Sequence, residues 1–180
     1  MSATHFDPFN NRMARDIRNI LSKSFLHALA ERDHKIYRDC AAKYLKEHLE
    51  PVYEKYIRGR VVKYEKVFAA LEQEKSEEKL QLVAAFWDHG LYFEMHEFLE
   101  DIWIKAEGDK RKALQALIRA AGMKIHAENN NMKAAVSMGT KALADLEKYH
   151  AEVVGFPRYT AVMADIKDIV ATGLNHFRKG

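Results

Sequence analysis

Apolar residues recur at three- and four-residue spacing along almost the whole chain, and nothing interrupts that rhythm for long. Such spacing gathers side chains on one face of a helix, whereas a half-buried strand needs strict alternation. No period-2 run of β-branched residues appears, and helix breakers are scarce: 3 prolines and 8 glycines in 180 residues. With 48% apolar residues the chain can bury a core. It reads as all-α, a single helical bundle of about six to eight helices over residues 1–180.

The few punctuating residues divide that pattern. A first helix is expected from Asn11 to Glu31, with Met13, Ile17, Ile20, Leu21, Ala28 and Leu29 inward, and a second from Ile36 to His48. Pro51 suits the first turn of a third, reaching Gln73 and carrying a tyrosine-rich face of Tyr53, Tyr56 and Tyr64. Ser76 reads as the N-cap of a fourth that ends at Gly90. A fifth is expected from Tyr92 to Ala106, and a sixth, capped by Asp109, to Glu128. After Asn129-Asn130-Asn131 a seventh runs from Met132 to His150, and a C-terminal helix occupies about 158–178.

Within the fifth helix, the string from Gly90 to Trp103 sets His96 and Glu100 four residues apart among aromatic residues. That spacing brings two side chains to one point on a helix surface. At about 100° per residue, Glu94, Glu97, Asp101 and Lys105 fall in one sector, read as solvated. His96 and Glu100 fall between Trp103 and Phe93, away from it, so the pair is expected to be buried. A buried ionisable pair needs partners. The sixth helix offers Arg111, Gln115 and His126, opposite a ridge of Ala113, Ala116, Ala120 and Ala127. His-Glu-x-x-Glu departs from the His-Glu-x-x-His helix of zinc proteases by its second histidine. Glu31…His34 and Glu147…His150 match a di-iron spacing at helix ends and are taken as coincidence.

The run Gly90-x-Tyr92-Phe93-Glu94-x-His96-Glu97-x-x-Glu100-x-x-Trp103, followed by Arg111, Leu114-Gln115-x-Leu117-Ile118 and His126, resembles the prokaryotic domain-of-unknown-function family 309. The likeness covers about residues 82–150, leaving 1–81 as an N-terminal helical extension and the last helix outside it. It implies an all-helical bundle without an established activity. It also implies that the positions of His96, Glu100, Trp103, Arg111, Gln115 and His126 belong to the family signature.

Other features narrow the function. Cys40 is the only cysteine, which rules out an intrachain disulfide. No phosphate-binding loop, nucleophile elbow or dinucleotide fingerprint is present. The N-terminus lacks the pattern of a signal peptide, and no apolar run is long enough to span a membrane, so a cytoplasmic protein is expected. A net charge of +3 from 29 basic and 26 acidic residues argues against nucleic acid, despite the Arg12, Arg15, Arg18 stripe and the run Lys55, Arg58, Arg60, Lys63. The tyrosine face of the third helix suggests a homo-oligomer. The first functional reading is a binding or interaction protein with a buried network of His96, Glu100, Arg111, Gln115 and His126. The alternative is a small-molecule or divalent-metal site, hydrolytic or not, centred on His96, Glu100 and His126 and lined by Tyr92, Trp103 and Gln115.

Overall fold

The computed structural model describes residues 5–74 and 79–179. Eight α-helices and one short 3-10 turn make up the described residues, without a strand among them. They are α1 (Arg12–Glu31), α2 (Lys35–Lys46), α3 (Pro51–Glu74), α4 (Lys79–Asp88), α5 (Tyr92–Trp103), α6 (Gly108–Glu128), α7 (Met132–Lys148), the turn His150–Val153, and α8 (Tyr159–Lys179). None is long and apolar enough to cross a membrane. The expected cap at Ser76 lies outside the described residues. The chain gathers into two compact units, 1–75 and 76–180.

In the first unit, Asn11 caps α1 by accepting the Ala14 N–H at 2.9 Å. Ala14, Ile17, Leu21, Phe25 and Ala28 form its buried face. Met13 and Ile20, expected inside, are exposed, because the buried stripe follows Ala14 and Phe25 instead. The tyrosine face of α3 turns inward. Tyr64 stacks on Phe25 at 3.8 Å, and Phe25 meets Phe68 and Tyr37 edge-on. Tyr53, Ile57, Tyr64 and Phe68 are buried and Tyr56 is half-buried, so most of this face is core of its own unit.

The second unit is organised around α6, which packs against α5, α7, the 3-10 turn and α8. Ala113, Ala116, Ala120 and Ala121 are fully buried there. Small side chains let neighbouring helices approach closely, and the expected alanine ridge serves that purpose. At the end of α4, Gly90 takes φ +62° and the Leu91 N–H reaches back to Phe86 O at 2.8 Å, a Schellman stop. Asn130 (φ +58°) does the same for α6, with Asn131 N–H on His126 O at 2.9 Å. Asp109 is not the cap of α6. That position falls on Glu107, and Asp109 pairs with Lys112 at 2.9 Å in the first turn.

Ion pairs tie α8 and the residue before it into this unit: Arg158 with Asp88 at 2.8 Å, Lys124 with Asp165 at 3.2 Å and Lys167 with Glu147 at 3.8 Å. Arg119 pairs with Asp145 between α6 and α7. Where α7 meets α8, a Cβ on Gly173 would overlap Val136 Cγ2. Gly173→Ala should therefore destabilise the protein by about 1–3 kcal/mol, the range of overpacked cores. Val136→Ala in the same chain should recover part of the loss. Gly59→Ala, in open space on α3, should instead gain up to about 1 kcal/mol. Denaturant melts of the variants check all three.

Candidate functional site

The α5–α6 hairpin positions the candidate residues. Lys124 Nζ lies 5.1 Å from the Tyr92 ring at one end, and the Arg111 guanidinium sits 4.1 Å over the Trp103 ring at the other. These two contacts set the helices antiparallel and fix their register. Glu100 falls at the level of Gln115, and His96 near Arg119. His126 lies beyond the level of Tyr92, about 10 Å further along the pair than His96 at 1.5 Å per residue. His126 is not in the close cluster of possible ligand atoms found among the described residues.

What does converge is His96, Glu97 and Glu100. One ligand atom from each lies within 4.8 Å of the others, and they are the one such set of three among the described residues. His96 Nδ1 stands 3.5 Å from Glu97 Oε1 and 3.8 Å from Glu100 Oε2. Nδ1 is itself buried and has no hydrogen-bond partner among the described residues. The two separations are long for a hydrogen bond. They suit donors sharing one ion, since ligands about 2.1 Å from a metal sit roughly 3–4 Å apart.

The helical wheel misjudged two carboxylates. Glu100, expected inside, is 48% exposed at its side chain. Glu94, expected in solvent, is fully buried. Glu94 occupies the third position of α5, where a carboxylate favours the unpaired N–H groups and positive end of the helix. Solvent reaches the C-terminal half of the helix, where Glu100 and Asp101 are exposed. Glu97 was set aside as solvated, yet it makes the shorter approach to His96. Neighbours along a helix do not face one another, so spacing rules gave no signal for this pair; only the reach of a glutamate side chain did.

The remaining candidates form the walls. Trp103 is partly exposed, with its indole Nε1 buried and unbonded among the described residues. Arg111 turns to that ring rather than to Glu100. Among the described residues its side chain makes one hydrogen bond, a long contact of 3.5 Å to Ala106 O. Tyr92 packs edge-on against Trp87 at 5.2 Å, and burial pushes its phenol pKa up. Gln115 is half-buried on α6. His126 is half-buried too, and burial holds its imidazole below the ordinary range. The basic stripes of the first unit are partly committed to local structure, Arg15 bonding Pro8 O and Phe9 O and Arg60 bonding Tyr56 OH.

Fold and site together define a helical domain that presents a histidine and two glutamates from one turn of a helix. Residues 80–138 match the family model described as a domain of unknown function, DUF309. The match runs from α4 into α7 and contains the whole cluster together with Arg111 and His126. Comparison of the chain with curated proteins and with solved structures finds no match.

Two outcomes distinguish this arrangement from the wheel. Glu94→Ala should cost about 2–4 kcal/mol by stripping a buried polar group from its setting. Glu100→Ala should stay within about 0.5 kcal/mol, as exposed substitutions do. Chemical denaturation of both variants decides between the two placements. The lowered His126 pKa has a further consequence. The unfolded chain binds a proton near 6.5 that the folded chain resists, so stability is full above that pH. It falls as the solution is acidified through the lower folded value. His126→Gln should flatten that part of the pH–stability curve, measured against the parent.

Proposed function

We propose that this is a divalent-metal-binding helical domain, with His96, Glu97 and Glu100 as the protein ligands. The observation that carries the reading is the buried, unbonded Nδ1 of His96 facing two carboxylates. Imidazole nitrogen with carboxylate oxygen suits a borderline ion such as zinc or manganese. Three ligands on a half-exposed helix face leave positions for water or a further ligand, the arrangement that catalytic rather than structural sites adopt. A bound water so activated would support hydrolysis, with the cluster in the metal-holding role. The reading of a buried register-fixing network draws less support, because Glu100 is exposed and Arg111 is stacked on Trp103.

Elemental analysis and isothermal titration with Mn²⁺ and Zn²⁺ test the proposal. One ion per chain is expected, with binding lost in His96→Ala and in Glu100→Gln and kept in Asp101→Asn, an exposed neighbour outside the cluster. Binding should weaken with acidification, since the ligands must be deprotonated. A chain that takes up neither ion overturns the reading.

A further inference from the structure

Arg111 is placed as few structural arginines are. Its guanidinium carbon lies over the Trp103 ring, 4.1 Å from its centre, which holds the group against the indole while most of its N–H donors have no protein acceptor among the described residues. Among the described residues it makes no ion pair, although Glu100 lies only one helical turn before Trp103. Its single protein acceptor, Ala106 O, is at the long limit of 3.5 Å. Five donors on a permanent charge are thus left almost unused in a half-buried setting.

The surroundings point the same way. Arg111 lies at the start of α6, between Lys110 and Lys112, and no side chain caps that helix. The positive end of a helix disfavours cations, so three successive basic residues there oppose the macrodipole. Asp109 offsets only Lys112. An uncapped helix start, a stacked guanidinium and neighbouring lysines become mutually favourable once an anion is present.

We infer that Arg111, held on Trp103, is the binding residue for a phosphoryl group of the ligand. The inference rests on the proposed metal cluster for the ligand's second anchor. A divalent ion at His96, Glu97 and Glu100 would offset the repulsion of Glu100 and offer open positions to phosphate oxygens. The planar fork accepts two oxygens side by side. The site's ligand is thus a phosphate or phosphate monoester, held by Arg111 and by the metal.

Inorganic phosphate is the probe. Tryptophan fluorescence in a Trp87→Phe background reports Trp103 alone, and calorimetry follows Mn²⁺ and phosphate separately. Phosphate should change Trp103 emission and bind the Mn²⁺-loaded chain. Arg111→Gln should weaken that binding by at least about tenfold, the loss of a charge-assisted hydrogen bond, with Mn²⁺ affinity kept. Arg111→Lys, which keeps the charge without the stacked fork, should fall between. Melting curves confirm that the variants fold, and where Arg111→Gln does not, Arg111→Lys alone carries the comparison.

Mn²⁺ binding without any phosphate response overturns the inference and leaves the metal reading standing. Phosphate binding that depends on Arg111 in a chain that takes no metal keeps the phosphoryl subsite and overturns the metal reading. Equal phosphate affinity in the parent and both Arg111 variants overturns the subsite, as does acetate binding as well as phosphate.

Discussion

The packing of α5 against α6 is the constraint from which the rest of the second unit follows. A four-residue break from Ile104 to Glu107 and the helix start at Gly108 (φ +60°) turn the chain back on itself. Trp103 with Arg111 closes one end of the hairpin, and Tyr92 with Lys124 closes the other. Between these anchors the register leaves no choice about which residues share a level. α6 can be central because alanines line its buried side, and α7 packs close to it and to α8, with Gly139 against Met123 and Val170 and Gly173 against Val136.

Most of this architecture was legible from the chain. Gly90, Pro51 and the Asn129–Asn131 turn mark helix ends through local backbone geometry, which a sequence states directly. The alanine ridge of α6 is equally plain. What spacing could not give was the third dimension of each helix surface. Glu94 and Glu97 share a sector of the wheel, yet one is fully buried and the other half-exposed. A wheel projects a helix along its axis and discards position along it, so it cannot register that burial changes from the first turn of α5 to its last. Ile20 and Met13 failed for a related reason: an amphipathic stripe is broader than the contact it makes.

For the candidate residues, the sequence states the helix each one sits on and not which of them meet. Tyr92, His96, Glu100 and Trp103 lie on α5 and Arg111 in the first turn of α6. His126 shares a helix with Arg111, and a sequence lists both as polar residues on one side. Only the antiparallel register shows that helix length separates His126 from His96. Arg111 illustrates the second limit. Charge alone predicts a carboxylate partner, whereas an indole face one turn away competes for a guanidinium once both are partly withdrawn from water.

The cluster draws all three of its groups from a single turn of a twelve-residue helix. Its geometry is therefore secured by the hydrogen bonds of that turn and not by the distance between helices. Motion of α6 relative to α5 would leave the three groups in place while carrying Arg111 away from them. Any molecule grasped by both would span the two arms of the hairpin, so that occupancy and closure of the hairpin become one equilibrium seen from two sides.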